Sequence, residues 1–341
     1  MVDLLIAYAF FVLKIVTVLI AVLIPILIIS SSSRQKKEAD KGRIVVKNLS
    51  ERLEEIGVSL KSAEMDPKSY KNFLKKRSKK KKKDIKNKPK EIVYVLEFQG
   101  DIQASGVDRL KQEINAIIFS QVKCKEVVLK VESTGGSAYA YGLCAAELKR
   151  LIDHKIKLTV CIDKVAASGG YLMSCVASKI VAAPWAIVGS IGVIAQLPNF
   201  HKFLKKQSID IEMHTAGKFK RTLTTLGKNT KEGREKFISE LEDLHLVFKD
   251  FVKENRSKIK VEKVSTGEVW QGEKAVKLGL IDEIGTSDDY LLKLSNKFKL
   301  LEIAYVEKRP FAARIAVATE AIVEKGIYKF LDIINKDRFI T

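Results

Sequence analysis

The alternation of apolar and mixed segments along the chain predicts a layered α/β fold. Short apolar runs, typical of strands that are buried on both faces, occur at five places: Ile92–Phe98, Glu126–Glu132, Leu158–Ile162, Lys179–Ala183 and Ala186–Val188. Helix-like stretches lie between them at Val107–Ile118 and Ala138–Leu151. Strands that alternate with helices in this way indicate a sheet with largely parallel pairing.

The second half of the chain has a helical period. Between Asn229 and Arg256, apolar residues recur every three or four positions, at Phe237, Leu241, Leu244, Phe248, Phe251 and Val252. This spacing places them on one face of a long helix, and we expect that face to be hydrophobic core and not a substrate pocket. Residues 301–341 are predicted to form a helical extension, which could dock on its own domain, on a sister subunit or on a membrane.

The chain begins with a segment that is apolar enough to cross a bilayer. Leu4–Ile29 is almost wholly apolar, and it is interrupted by one charged residue, Lys14, and one helix-breaking residue, Pro25. Its 26 residues would span about 39 Å as a helix, which exceeds the hydrocarbon thickness of a membrane. A cleaved signal peptide has a basic start and a shorter apolar run, so residues 1–33 are predicted to be a retained transmembrane anchor.

Basic charge is concentrated directly after this segment. The chain carries a net charge of +20, and residues 34–90 alone contain 21 Lys/Arg against 8 Asp/Glu, including the run Lys79–Lys83. Like charges at this density favour a solvated, lysine-rich linker that could also attract anionic lipids. Aromatic residues do not interleave with the lysines as a base-stacking surface requires, so nucleic acid is not an expected partner.

Cysteine and histidine usage argues against a metal site. Cys124, Cys144, Cys161 and Cys175 form no CxxC pair or other metal-ligand spacing, and they do not suggest a disulfide framework. We therefore expect no metal and no cofactor.

Ser168 is the candidate nucleophile. It lies in the small-residue sequence Ala166–Tyr171, and Lys220 follows 52 residues later. A serine among small residues has an accessible hydroxyl, and a desolvated lysine can remove its proton. The alternative is that Ser168 caps a helix. The segment is not a GxSxG elbow, because Ala166 occupies the first glycine position; His214 is the reserve candidate for the base.

Two further glycine clusters could present backbone amides to a ligand. Glu132–Ser137 contains Gly135 and Gly136 between a predicted strand and a predicted helix, and a Gly-Ser-Ile-Gly-Val sequence begins at Gly189. Glycines at such a turn allow amides to approach a reacting carbonyl, although an ordinary tight turn has the same composition.

In this order, the motifs resemble the serine peptidases of the signal peptide peptidase A family, most closely its SohB branch. The similarity covers nearly the whole chain, from the anchor through the basic segment to the end of the predicted sheet. The segments that carry it are Asp163–Tyr171, Ala186–Val193, Asp210–Gly217, Lys220–Thr224, Asn229–Phe237 and Gly279–Ile284.

The resemblance implies a role for each candidate residue. Ser168 would be the nucleophile, Lys220 its general base and Ser190 the serine that orients the lysine. Gly135, Gly136 and Gly169 would supply the oxyanion hole. Thr134 stands where the family usually has proline, so we expect a less rigid turn. The family fold is of the Clp protease/crotonase type, built of stacked ββα units, and its members commonly assemble into homo-oligomeric rings.

The sequence thus predicts a peptidase domain over residues 91–300 of a single-pass protein in a bacterial inner membrane. It would be a serine endopeptidase that cleaves peptides or membrane-associated protein segments. The resemblance implies an extracytoplasmic catalytic domain, whereas the excess of Lys/Arg after the anchor favours the cytoplasmic side. Two alternative interpretations of the same features are an acyl-CoA-binding enzyme of the crotonase type and a catalytically silent membrane scaffold.

Overall fold

The computed structural model describes residues 42–86 and 91–307, together with Lys14 and Thr17. Contacts divide the chain into a main unit, residues 44–304, and a second unit of residues 1–43 and 305–341. In the second unit, the N–H of Gly42 donates to the hydroxyl of Tyr305 at 3.0 Å.

Strands and helices alternate through most of the main unit. The strands in the described residues are β1 (Arg43–Asn48), β2 (Ile92–Gly100), β3 (Cys124–Ser133), β4 (Leu158–Ile162), β5 (Val165–Ala167), β6 (Lys179–Ala182), β7 (Ile187–Gly189), β8 (Val269–Gln271), β9 (Glu283–Ile284) and β10 (Lys299–Val306). The helices in the described residues are α1 (Leu49–Glu64), α2 (Pro67–Lys86), α3 (Val107–Phe119), α4 (Ala138–Asp153), α5 (Gly169–Ser174), α6 (His201–Lys206), α7 (Lys231–Asn255), α8 (Val261–Val264), α9 (Gly272–Lys277) and α10 (Ser287–Ser295).

The strands form one mixed sheet in which parallel pairing dominates. Its main path runs β1-β10-β2-β3-β4-β6-β9, and β5, β7 and β8 branch from it through a β3–β5 contact. Strands β2 to β7 pair in parallel, and β8 runs antiparallel to β7. The predicted α/β class with largely parallel strands is therefore confirmed.

Both faces of the central strands are covered, which explains their continuous apolar sequence. All five residues of β4 are buried. One large core cluster packs side chains of α3, α4, α5 and α7 against the strands. A second, smaller cluster packs Tyr290 and Leu291 of α10 against other side chains of β2, β3 and β4.

The described part of the basic segment contains a strand and two helices. Residues 43–48 form β1 at the edge of the sheet, next to β10, and the lysine run lies in helix α2. Helix α1 begins after Asn48, whose side chain accepts the N–H of Glu51 at 3.1 Å as an N-cap. Lysine is a good helix former, so the lysine run does not by itself prevent helix formation.

The predicted terminal segments lie largely outside the described residues. Of the anchor predicted for residues 1–33, only Lys14 and Thr17 are described. Among the described residues, no helix combines the length and apolar character that crossing a bilayer requires. Of the helical extension predicted for residues 301–341, the described part is residues 301–307, and there β10 continues to Val306.

Candidate active site

Three parallel strands end at the same place and bring three predicted site segments together. Ser133 at the end of β3 is in register with Ala166 in β5, and Ala167 is in register with Gly189 at the end of β7. Ser168 and Ser190 are the next residues along β5 and β7. Because parallel strands present their carboxyl ends at one edge, the glycine turn after Ser133 lies beside Ser168, and Ser190 follows the strand on the other side of β5.

Ser168 has the backbone conformation of a strained turn between β5 and α5. Its φ is +51° and its ψ is −118°, which is unusual for a residue with a side chain. Two hydrogen bonds hold it: its N–H donates to the carbonyl of Gly189 at 2.8 Å, and its carbonyl accepts the N–H of Leu172 at 2.9 Å. Its hydroxyl does not cap the helix. The side chain is half-buried and lines a cavity, so the capping alternative does not hold.

The Gly135–Gly136 turn lies directly against Ser168. Gly135 has a φ of +88°, and a Cβ atom on it would lie 2.6 Å from the nitrogen of Gly169 and 2.8 Å from the Cβ of Ser168. Only glycine fits this conformation and this close approach.

The three predicted oxyanion-hole amides are not equivalent. The N–H of Gly135 donates to the hydroxyl of Ser133 at 3.0 Å, so it is already occupied. Gly136 and Gly169 both line the cavity, and their N–H groups have no acceptor among the described residues. Gly169 is also the first residue of α5, where the N–H groups of a helix lack internal partners.

Ser190 has the same positive φ as Ser168, +51°. Its N–H donates to the carbonyl of Glu268 at 2.7 Å, in the segment that leads into β8. Its hydroxyl has no hydrogen-bond partner among the described residues and is half-buried. Ser190 is therefore positioned beside Ser168 with its hydroxyl available.

The structure does not bring Lys220 into this cluster. Lys220 lies in an exposed turn, where its N–H donates to the carbonyl of Gly217 at 3.1 Å. Its side chain makes no hydrogen bond or ion pair within the described part of the chain, and it is not part of the cavity wall. His214 is also remote from the cavity wall; its ring is 90% exposed and lies 3.6 Å from the carboxylate of Glu212.

The cavity beside Ser168 has a volume of about 820 Å³ and a predominantly apolar wall. One side consists of the Gly136–Ser137 turn and Leu172, and another of the segment 192–195. Helix α4 contributes Ala138, Tyr139, Gly142 and Ala145 to the wall. Helix α7 contributes the side chains Phe237, Leu241, Leu244, Val247, Phe248 and Phe251.

The expectation that the apolar stripe of α7 is only core is therefore wrong. Phe248 and Val252 are buried, but Phe237, Leu241 and Leu244 are half-exposed and face the cavity. Helical periodicity shows which face of a helix is covered, but it does not show whether protein or a ligand covers it.

Two polar contacts, one of them buried, fix the helices around the cavity, and sequence reasoning missed both. The hydroxyl of Tyr171 in α5 donates to the carbonyl of Leu280 at 2.9 Å, and burial raises the pKa of Tyr171 well above its usual value. Arg256, which follows α7, makes a bidentate pair with Asp282, with both N–O distances at 2.9 Å. These contacts connect residues that are far apart in sequence, so no local pattern indicates them.

His, Cys, Asp and Glu side chains are dispersed through the described residues. They include no group of three or more His, Cys, Asp or Glu side chains arranged to hold a metal ion. Burial raises the pKa of Cys144, Cys161 and Cys175 to about 12, so these thiols are protonated and poor nucleophiles at neutral pH.

A serine hydroxyl on a strained turn, beside two unpaired amides and above an apolar cavity, has the organisation of a hydrolase that attacks carbonyl groups through serine. Comparison with known proteins identifies the family of this hydrolase. Residues 150–301 match peptidase family S49, and residues 3–148 match the N-terminal region of the same family. The chain belongs to peptidase family S49 and is a SohB-like serine peptidase.

Curated relatives match the chain over nearly its full length. A probable protease SohB of Haemophilus influenzae is 41% identical over 341 aligned residues, which cover 96% of each chain. A probable protease SohB of Buchnera aphidicola is 44% identical and covers 85% of this chain and 99% of its own. Among solved structures, a mutant of the 1510-N membrane-bound stomatin-specific protease is 15% identical, with a TM-score of 0.40. That likeness covers 60% of this chain and 85% of the other, and it is too low to carry an argument about function.

Proposed function

We propose that this peptidase is a membrane-anchored endopeptidase that uses Ser168 as nucleophile and Lys220 as general base. The observation that carries the proposal is the position of Ser168: a strained residue whose hydroxyl is free, beside the unpaired amides of Gly136 and Gly169. A hydroxyl used only for structure would be hydrogen-bonded to its helix, and this one is not.

The proposed reaction is acyl transfer in two steps. The oxygen of Ser168 forms a bond to the scissile carbonyl carbon while its proton moves to the neutral amine of Lys220. The negative charge that develops on the carbonyl oxygen is stabilised by the N–H groups of Gly136 and Gly169. The C–N bond then breaks, and the leaving amine takes the proton from Lys220.

Water completes the cycle by hydrolysing the ester on Ser168. Lys220 accepts a proton from the attacking water and returns it to the oxygen of Ser168 as the ester bond breaks. Ser190, whose hydroxyl is available beside Ser168, would hydrogen-bond the amine of Lys220 and orient it.

The exposed position of Lys220 sets a condition on this mechanism. Its amine reaches Ser168 only if the segment around residues 214–228 rearranges, or if Lys220 of another copy enters the site. Large exposed apolar side chains support assembly of several copies. They include Ile194 and Val247 in the cavity wall and Phe203 in α6, each more than 60% exposed. A homo-oligomeric ring is therefore part of the proposal.

The cavity supports a substrate with apolar side chains. Its wall is formed mainly by Leu, Val, Ile and Phe side chains of α7 and the segment 192–195. Burying apolar side chains there would contribute binding energy in proportion to the area removed from water. Signal-peptide remnants and membrane-associated protein segments have this composition, and the apolar segment 4–29 would hold the site near a bacterial inner membrane.

The fold type and the lipid partner belong to the same proposal. The branching of β5, β7 and β8 from the main sheet supports a Clp protease/crotonase-like arrangement of ββα units. The run of lysines in α2 supports contact with anionic headgroups, which would be weakened by salt.

Purified protein, with a fluorogenic peptide rich in Leu and Phe as substrate, tests the assignment. Ser168→Ala should abolish cleavage and labelling by a fluorophosphonate while the protein stays folded. Lys220→Ala should also be inactive. Mixing the two inactive variants distinguishes the two routes for Lys220: recovered activity would show that the lysine comes from another copy, whereas no recovery would favour rearrangement within one chain. An active Ser168→Ala protein would overturn the proposal.

A further inference from the structure

A chain of hydrogen bonds leads from the glycine turn into the protein interior. The N–H of Gly135 donates to the hydroxyl oxygen of Ser133 at 3.0 Å. The hydroxyls of Ser133 and Tyr141 are 2.5 Å apart, and the hydroxyl of Tyr141 lies 2.7 Å from the carbonyl oxygen of Asp101.

The chemistry of the last acceptor fixes the direction of every bond. A carbonyl oxygen can only accept, so Tyr141 must donate its single proton to Asp101. Ser133 must then donate its proton to Tyr141, because the phenol has no second proton to give. The hydroxyl oxygen of Ser133 is left as the acceptor for the N–H of Gly135. Each hydrogen bond therefore has only one possible donor, and rotating a hydroxyl group cannot reverse its direction.

The two hydroxyl groups lie in a buried and closely packed part of the core. Tyr141 is 0% exposed and Ser133 is 2% exposed. A side chain at Gly100 would overlap both hydroxyl groups, so glycine there leaves space for the pair. Burial raises the pKa of Tyr141, with the hydrogen bond from Ser133 acting in the opposite sense, and the phenol stays protonated throughout the neutral range.

The same tyrosine also contacts the second amide of the site. The ring of Tyr141 packs against Gly169 so closely that a Cβ atom on Gly169 would overlap the ring. The edge of the ring of Phe98 supports it from another side, with 6.4 Å between ring centroids. Tyr141 thus holds the Gly135–Gly136 turn through its hydroxyl and borders Gly169 through its ring.

We infer that Ser133 and Tyr141 are positioning residues that set the separation between the amides of Gly136 and Gly169, and so determine how well the site stabilises the oxyanion. The inference rests on the proposed function, because it assumes that these two amides receive the charge that forms when Ser168 attacks. A second contact supports the same turn: the N–H of Ser137 donates to the carbonyl of Ile102 at 2.8 Å. The turn is therefore tied on both sides to residues 101–102.

The test compares Tyr141→Phe, Ser133→Ala and the double variant with the wild type on one fluorogenic peptide. Each single change should lower kcat by about tenfold to a hundredfold, because a displaced oxyanion donor acts in the transition state and not on bound substrate. KM should stay within about twofold, since the apolar wall of the cavity is untouched. The double variant should lose no more than the worse single variant, because either change breaks the same chain.

Tyr290→Phe is the matched control. Tyr290 is 8% exposed, and its hydroxyl donates to Glu126 at 3.0 Å in the smaller core cluster, which excludes Tyr141. This variant also loses a buried tyrosine hydroxyl, so it should be destabilised to a similar extent while its kcat stays at the wild-type value.

Hydrogen exchange at residues 134–137 supplies a readout that does not depend on turnover. Exchange there should accelerate in Ser133→Ala, and this variant carries the test if Tyr141→Phe fails to fold. A wild-type kcat in folded Ser133→Ala, a loss confined to KM, or losses that multiply in the double variant would each overturn the inference. An inactive wild type, or an active Ser168→Ala protein, would instead overturn the proposed function.

Discussion

The bidentate pair between Arg256 and Asp282 allows a quantitative prediction. Arg256 follows the last turn of α7, donates two hydrogen bonds to the Asp282 carboxylate at 2.9 Å, and donates another to the carbonyl of Gly279 at 3.1 Å. Its side chain is 9% exposed and that of Asp282 is 36% exposed, so the pair lies between a surface pair and a buried pair. Arg256→Met should lower the free energy of unfolding by about 2 to 3 kcal/mol, because it removes three hydrogen bonds and leaves the carboxylate without its cation.

This loss should depend on pH. Burial acts to raise the pKa of Asp282, but the hydrogen bonds from Arg256 and from the N–H of Ile180 outweigh it and hold the pKa below its usual range. A carboxyl group whose folded pKa is lowered contributes stability above its unfolded pKa of about 3.9 and loses it as the pH falls through the folded pKa. The difference between wild type and Arg256→Met should therefore be full at neutral pH and shrink in acid.

Urea denaturation at several pH values measures this difference. Lys293→Met is the control, because its partner Asp289 lies 2.7 Å away but both side chains are more than half exposed, and the expected loss of stability is much smaller than in Arg256→Met. KM for an apolar peptide should also rise in Arg256→Met, since the end of α7 carries Phe251 of the cavity wall. Equal stability of Arg256→Met and wild type at neutral pH would refute the reasoning.

Three other changes have defined outcomes. Gly135→Ala should remove peptidase activity from a folded protein, because the added methyl group would displace the amide of Gly169; normal turnover would contradict the geometry of the turn. Leu244→Trp should reduce the cavity and lower kcat/KM more for peptides with bulky apolar residues than for peptides with alanine, and equal effects on both would show that the cavity does not bind substrate side chains. Cys161 and Cys175 should not react with iodoacetamide in the native protein at pH 8 and should react after denaturation; fast native labelling would show that their burial is not maintained.

Local patterns predicted the strands β2, β3, β4, β6 and β7, but they did not predict β1, β5, β8, β9 or β10. The run Leu158–Ile162 is wholly apolar because β4 is covered on both faces, and its predicted bounds agree with those of the strand. The long helix predicted between Asn229 and Arg256 is α7, which begins after the N-cap Thr230. Such predictions succeed because burial and capping act on neighbouring residues.

The contacts around the site could not be predicted in the same way. Ser133 and Tyr141 are eight residues apart, but their hydrogen bond forms only because β3 and α4 pack against Asp101, which follows another strand. The bond between Tyr171 and Leu280 spans 109 residues. The sequence around such residues shows no pattern that indicates the contact, because only the tertiary fold brings the two side chains together.

Lys220 is the one member of the proposed dyad that lies away from the cavity. A lysine is a useful base only where a low-dielectric environment favours its neutral form. The turn that carries Lys220 is exposed, whereas the hydroxyl of Ser168 and the amides of Gly136 and Gly169 lie at the cavity. The proposed dyad therefore requires protein to cover Lys220. In the proposed ring, contacts between copies would cover both the lysine and the exposed apolar side chains Ile194 and Val247, so assembly and activation would be the same event.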